Sequence, residues 1–268
     1  ALTAMNAGES SVRLSLDLNL TWQRWPILEN RLMLDRVLFV DEQQLISVVS
    51  DPKKIFMLDK GALTPLEIRH HGYCKLVPTA SAPILEIDGI KMHRSSDIDP
   101  LDDARQKIAL VVRPGDRVLD TCGGLGYSAM FAASAGALQV VSFEKSKEVL
   151  QLRMVNPWLK TASPGRVQLI HGDLTRQMDQ LESEFFHSVI HDPPRFTSST
   201  GDLYGKVFYA GLFRVMKKAG RLFHYTGSPG KIKSQDVFIK NIMKRLENAG
   251  FEKVEFHDSL QGIYGLKK

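Results

Sequence analysis

From Asp99 to the C-terminus, short apolar runs alternate with longer amphipathic stretches, and most runs end in a polar residue or glycine. The runs predict strands over 117–120, 139–144, 167–171, 188–192, 220–226, 252–257 and 263–267. The stretches between them predict helices over 128–135, 146–156, 175–181, 203–218 and 236–249. Such alternation implies a parallel sheet with helices on both faces and ligands at the carboxyl ends of the strands. Only residues 258–262 separate the last two strands, too few for a parallel crossover, so these two pair antiparallel. The expected fold class is α/β, a Rossmann-like sheet of seven strands with the last strand antiparallel.

The first hundred residues follow another rhythm. Val12 to Leu20 alternates apolar and polar with period two, as a half-buried strand does. Further strands are expected over 31–40, 55–58, 66–77 and 84–92, separated by Gly and Pro. A short helix from Asp41 to Val49 is capped by Asp41 and stopped by Asp51-Pro52. Trp22 and Trp25 read as packing residues. Residues 1–98 are therefore expected to form a small, mainly β accessory domain, and 99–268 the catalytic domain. The catalytic domain opens on a helix that Asp99 can cap. Pro100 suits its first position, and Asp102 and Asp103 sit where the helix dipole favours anions.

The candidate chemistry gathers at four predicted strand ends. After the first come Asp120, Thr121, Cys122, Gly123, Gly124, Leu125 and Gly126, a tight turn running into a helix N-terminus. Glycines there admit a ligand close to the main chain, and the free N–H groups face it. The turn carries no Lys or Arg for a phosphate, which favours a nucleoside without pyrophosphate. Glu144, followed by Lys145, ends the second strand and can accept from both hydroxyls of a ribose. Gly172, Asp173 and Leu174 follow the third strand. Asp173 can accept from an exocyclic amine with Leu174 packed on the ring, or it can cap a helix with Leu174 in the core. After the fourth strand comes His191-Asp-Pro-Pro-Arg-Phe196, whose prolines Pro193 and Pro194 stiffen the loop. Asp192 is placed to orient an attacking amine, Arg195 to pair with an anion, and Phe196 to stack on a base or fill the core.

Composition changes this picture little. The net charge of +5 favours a polyanionic partner without demanding one. Two cysteines, Cys74 and Cys122, make no disulfide framework, and no apolar run spans a bilayer, so a cytoplasmic protein without membrane contact is expected. No basic segment and apolar stretch open the chain as a secretion signal would. His70, His71 and His93 have no ligands at metal spacing, so no metal is expected. Cys122 has no histidine partner evident in sequence and reads as a thiol beside the cofactor. His224-Tyr225 at the fifth strand end is expected to line the cleft. Lys231, Lys233, Lys240, Lys244 and Arg245 form a basic face, either solvated or tracking phosphates.

Taken together, Asp120 to Gly126, Glu144, Asp173 and Asp192-Pro-Pro194 resemble the class I S-adenosylmethionine-dependent methyltransferases over roughly residues 100–268. Met92-His-Arg94, the helix from Pro100 to Arg105 and the glycine turn look more narrowly like the predicted archaeal methyltransferases. The resemblance implies S-adenosyl-L-methionine as cofactor and an Asp-Pro-Pro segment that, in the wider family, serves methylation of exocyclic base amines. Arg195 stands where that family has an aromatic residue, a departure that leaves stacking to Phe196. The expected activity is methyl transfer, to nitrogen by preference, on an RNA or other nucleic acid, with tRNA or rRNA as the expected kind of partner. Transfer to a small molecule and a spermidine synthase-like aminopropyl transfer are the alternatives. The oligomeric state is left open.

Overall fold

The computed structural model describes residues 1–70, 72–161, 165–227 and 233–268, the side chains of 160, 161 and 233–236 excepted. The chain divides into two compact units, Ala1–Pro100 with Met154–Lys160, and Leu101–Arg153 with Thr161–Lys268.

The second unit holds one seven-stranded sheet. Its strands are β1 (Arg117–Asp120), β2 (Gln139–Glu144), β3 (Val167–His171), β4 (Phe186–His191), β5 (Met216–Tyr225), β6 (Phe251–His257) and β7 (Gly262–Lys267). They lie in the order β3-β2-β1-β4-β5-β7-β6. The β1–β5 neighbours pair parallel, whereas β7 runs antiparallel to both β5 and β6. The strand order turns back at β1 and β4, and a crevice opens at such a switch point. Both faces of β1, β2 and β4 are buried: Leu119, Val141 and Val189 enter one apolar cluster, Val118, Val140 and Ile190 the other. That is why these strands read as continuous apolar runs rather than alternating ones.

The flanking helices are α1 (Pro100–Val111), α2 (Tyr127–Ser134), α3 (Lys147–Met154), α4 (Leu174–Gln177), α5 (Lys206–Val215) and α6 (Lys233–Asn248). Several boundaries differ from the sequence pattern. The helix expected over 203–218 stops at Val215, because Met216 is fully buried and pairs with Phe186 as the start of β5. The register then shifts, with Ala219 at φ 59°, so a bulge interrupts the apolar pattern that marks a strand. The helix expected over 175–181 is one turn of α4 followed by a 3-10 turn, Met178–Gln180. The helix expected to reach residue 156 ends at Met154, and Trp158 beyond it donates from Nε1 to the Leu18 carbonyl at 2.9 Å, within the first unit.

The first unit consists of short sheets. Ser11–Leu14, Gln23–Leu28, Arg31–Met33 and Phe39–Asp41 form one, Glu67–Arg69, Tyr73–Val77, Ile84–Ile87 and Ile90–Lys91 a second, and Phe56–Asp59 with Ala62–Pro65 a hairpin. Three segments expected as single strands fold back on themselves as hairpins. Asp88 and Gly89, with φ 48° and 80°, make the tight turn that splits 84–92. Asp35 splits 31–40, its Oδ1 accepting from the Val37 and Leu38 amides. The helix Glu42–Ser50 has the expected Asp41 cap, completed by a reciprocal Gln44 bond into a capping box. A helical turn, Leu2–Asn6, is additional. Trp25 packs in the unit's core, whereas Trp22 is 53% exposed. Among the described residues, no helix is long and apolar enough to cross a membrane.

Candidate active site

The turn after β1 is built from behind. A Cβ on Gly123 would collide with Ser142 Oγ, and one on Gly126 would lie 2.6 Å from the Arg153 guanidinium carbon. Gly126 also has φ 89° and Gly124 φ 49°, backbone that side chains disfavour. Only at Gly124, of the three, would a Cβ meet nothing within 4 Å. Two of the three glycines therefore exist to admit Ser142 and Arg153 beneath the turn, a reason different from the ligand approach expected of them. Arg153, buried at the end of α3, donates to Ser142 Oγ at 3.3 Å, and Ser142 donates to Asp120 Oδ2 at 2.7 Å.

Asp120 itself is 1% exposed, and its Oδ1 has no partner among the described residues. Burial pushes its carboxyl up to about 6, against the opposing pull of Ser142 and Arg153. Glu144, at the tip of β2, accepts from the Gly124 amide through Oε2 and from the Ser146 amide through Oε1, both at 2.8 Å. Burial raises its carboxyl too, and those amides and Arg153 offset part of the rise.

At the tip of β3, Gly172 donates to the Glu144 carbonyl at 2.9 Å, tying the two strand ends together. Asp173 caps α4, its Oδ1 accepting from the Thr175 amide at 3.0 Å and hydroxyl at 2.6 Å. Its Oδ2 lies 2.9 Å from the Nζ of exposed Lys145. Burial alone would raise the Asp173 carboxyl, but Thr175 and Lys145 outweigh it and hold it below the usual value. Leu174 is a core residue.

Thr121 and Cys122 line the start of the turn. Burial holds the His191 imidazole down to about 3, so it is neutral. Its Nε2–H donates to the Leu203 carbonyl at 2.9 Å, and its Nδ1 accepts from the Thr121 hydroxyl at 2.7 Å. Burial pushes the Cys122 thiol well up, with Glu144, Asp120 and Asp192 adding to the rise. It stays protonated and is no nucleophile. His224 does not line a cleft: it is fully buried, 2.9 Å from the Tyr209 hydroxyl, with its ring centre 4.4 Å from that of His191 and tilted 45° to it.

Asp192 follows β4 directly. Its Oδ2 lies 2.8 Å from the Nζ of Lys107, which projects from α1 and also meets Asp103 Oδ2 at 2.7 Å. Lys107 is 4% exposed, and its ammonium stands 4.2 Å over the Tyr225 ring. The charge of Asp192 is felt at Asp120, Cys122 and Tyr204, which brings it into the neighbourhood of the β1 turn. Pro193 is buried, whereas Pro194, Arg195 and Phe196 are exposed. The Tyr204 hydroxyl donates to the Pro194 carbonyl at 2.8 Å, and the Phe196 ring stands edge-on to Tyr204 at 5.4 Å.

Two side chains of this region escaped the sequence reading. Lys107 sits on the core-facing side of a predicted helix, four residues after Asp103, a position where a lysine needs a partner. Arg153 likewise interrupts the apolar face of its helix. Of the expected basic face, Lys240 and Lys244 are exposed, but Arg245 donates to the Tyr204 carbonyl at 2.9 Å and is a strut. Lys231 and the side chain of Lys233 lie outside the described residues, as does His71. His93 is taken up by its own unit, its Nδ1 accepting from the Leu85 amide at 3.3 Å.

The strand order, the antiparallel β7 and the glycine turn are those of the class I S-adenosylmethionine-dependent methyltransferase fold. An uncharacterised protein of Methanocaldococcus jannaschii is 38% identical over 267 residues, which is 98% of this chain and 92% of that protein. The chain belongs to the same family as that archaeal protein. A second protein of that organism, provisionally named a ribosomal RNA large subunit methyltransferase, is 34% identical over 120 residues, 42% of this chain and 30% of its own length. Among solved structures, a spermidine synthase bound to a transition-state analogue superposes with TM-score 0.59 and 14% identity over 80% of each chain. No protein-family model matches the chain.

Proposed function

We propose that this enzyme methylates a nitrogen of an RNA base, with S-adenosylmethionine held at the tips of β1, β2 and β3 and the acceptor oriented by Asp192. The observation that carries this reading is the place of Asp192. It follows β4 at the switch point, its charge reaches the β1 turn, and only one of its oxygens is engaged by a neighbour among the described residues.

The residues suit a cationic adenosyl cofactor. Asp120 Oδ1 is a buried acceptor without a donor, a vacancy that an ammonium fills well. Each Glu144 oxygen is anchored by one amide and keeps a lone pair for ribose hydroxyls. Asp173 Oδ2 is shared with a solvent-facing lysine, an ion pair worth little and readily exchanged for an adenine amine. Thr121, Cys122, Gly123, Gly124 and Gly126 form the floor of this site, and Lys145, Gly172 and the main chain of Leu174 its far wall.

The cofactor supplies a methyl group already activated by a sulfonium, so the protein's task is alignment. Asp192 accepts a hydrogen bond from the attacking amine and turns its lone pair toward the methyl. Orientation of this kind is worth ~7–11 kcal/mol. The stiff Asp192-Pro-Pro194 segment, fixed through Tyr204 and Arg245, keeps that carboxylate in place. Phe196, half-exposed beside Tyr204 and Phe238, offers a face on which a base stacks. Its exposure and the ribosomal RNA methyltransferase name of the relative matched over 120 residues support RNA as the acceptor. Both cysteines are free, which suits a reducing cytoplasm.

Incubation with methyl-labelled S-adenosylmethionine and a fractionated cell extract tests the reading. Label is expected in the RNA fraction; label confined to protein or small molecules refutes the RNA part. The aminopropyltransferase reading draws on the likeness to spermidine synthase, which extends over 80% of both chains. Calorimetry with S-adenosylmethionine and its decarboxylated form separates the two, because Asp120 serves only the ammonium that both share, whereas aminopropyl transfer requires preference for the decarboxylated cofactor.

A further inference from the structure

We propose that Lys107 is the positioning residue of this active site, fixing one oxygen of Asp192 so that the other is presented to the acceptor. The inference rests on the reading of Asp192 given above and extends it to a residue outside the strand-tip motifs.

An ammonium has three donors and no acceptor. At Lys107 one reaches Asp103 Oδ2 at 2.7 Å and one Asp192 Oδ2 at 2.8 Å, and the charge lies 4.2 Å from the Tyr225 ring centre. Three elements, α1, the end of β4 and the end of β5, thus converge on one nitrogen. Burial works against its charge, but Asp192 and Asp103 outweigh that and hold the lysine above its ordinary pKa. Lys107 is therefore a fixed cation, not a proton carrier.

The two carboxylates are not equivalent. Asp103 is 4% exposed and one turn before Lys107 on the same helix, so it compensates the buried charge locally. The Asp192 side chain is 25% exposed, and its Oδ1 has no partner among the described residues. A carboxylate pinned through one oxygen loses rotational freedom about its last bond. The second oxygen is then held at one place and with one lone-pair direction. Without Lys107, Asp192 would swing between solvent and site, and alignment of the acceptor would be lost although the charge remained.

The test uses Asp103→Asn/Lys107→Met, which removes the buried pair together and leaves only the partly exposed Asp192 carboxylate without its cation. Binding of S-adenosylhomocysteine by calorimetry and methylation of the RNA fraction are both measured, against wild type and Asp192→Ala. The expected result is unchanged cofactor affinity and KM with kcat lower by about 100-fold, the scale of a misplaced reacting group. Lys107→Arg, which keeps a cation within reach of both carboxylates, should recover part of kcat. Wild-type turnover in the double variant overturns the proposal alone. Loss of S-adenosylhomocysteine binding assigns Lys107 to stability and overturns it likewise. Turnover that survives in Asp192→Ala overturns the reading of Asp192 and this inference together.

Discussion

Replacing Asp120 with asparagine should stabilise the cofactor-free protein while weakening its grip on the cofactor. Asp120 is buried, and the Oδ1 atom has no donor. Burial raises its pKa from 3.8 to about 6, and a rise of that size corresponds to about 3 kcal/mol. The folded pKa lies above the unfolded one, so the folded chain keeps this proton to higher pH. The stability contributed by the neutral form is complete below about pH 4 and is lost as pH climbs through about 6. Asparagine cannot ionise and avoids that loss, and its carbonyl still accepts from Ser142.

At pH 8, Asp120→Asn is therefore expected to melt several degrees above wild type, with about 3 kcal/mol as the upper bound. At pH 5 the gap should shrink to about half, and below about pH 4 the two should nearly coincide, because the carboxyl is then largely protonated in the folded and the unfolded chain alike. Calorimetric melts without ligand across this range read the gap directly. In the same variant, S-adenosylhomocysteine should bind about tenfold or more weakly, the loss of one hydrogen bond to a charged group. Wild-type affinity should itself rise from pH 5 to 7 as the carboxylate ionises. A gap that is absent at pH 8, or reversed, refutes the account of the buried carboxyl. An unaltered affinity refutes its assignment to the ammonium of the cofactor.

Asp192→Ala should leave S-adenosylhomocysteine affinity near wild type and lower turnover by about 100-fold, read by label incorporation into RNA; retained turnover removes Asp192 from the mechanism. Gly126→Ala forces a Cβ to 2.6 Å from the Arg153 guanidinium carbon at φ 89° and should cost about 1–3 kcal/mol without any ligand present. Gly124→Ala meets open space, so its stability cost should be smaller, about 1–2 kcal/mol of backbone strain, while its effect on cofactor binding should be the larger of the two. Lys240→Glu with Lys244→Glu should weaken RNA binding and flatten its dependence on salt, measured by titration at several ionic strengths; an unchanged slope returns both lysines to the solvated surface.

Much of the catalytic unit was legible because its strands are buried on both faces, which leaves runs such as Val118 to Asp120 and Val140 to Phe143 that nothing else explains. The strand ends were legible because Asp, Glu and Gly stop those runs abruptly. The β5 start was not, since Met216 to Lys218 continue the helical pattern of α5 and the bulge hides the strand period. The first unit was read too coarsely because its strands are two to six residues long, and hairpin turns at Asp35 and Asp88-Gly89 sit inside apolar stretches. The contacts of Arg153 and Lys107 were invisible in the sequence for one reason. Each makes a contact distant in sequence, Arg153 under Gly126 and Lys107 on Asp192, 85 positions away. Nothing local distinguishes such a residue from an exposed helix charge except its place on the buried face.

Asp120 and Asp192 are prepared in opposite ways, and under the proposed function the difference gives them different partners. Asp120 is buried, short of one donor, and served by Arg153 only through the intervening Ser142. Its free energy improves when a cation arrives from outside. Asp192 already has its cation, because Lys107 lies 2.8 Å from it and is itself balanced by Asp103. A second cation brought to Asp192 would compete with that lysine and gain little. The β1 tip is thus matched to a positively charged ligand and the β4 tip to a neutral one able to donate a hydrogen bond. An aminated base meets the second requirement, whereas a polyamine, charged along its length, finds its natural counter-ion occupied. The charge pattern of two strand ends therefore favours methyl transfer to a neutral amine over aminopropyl transfer to a polycation, on a fold that accommodates either.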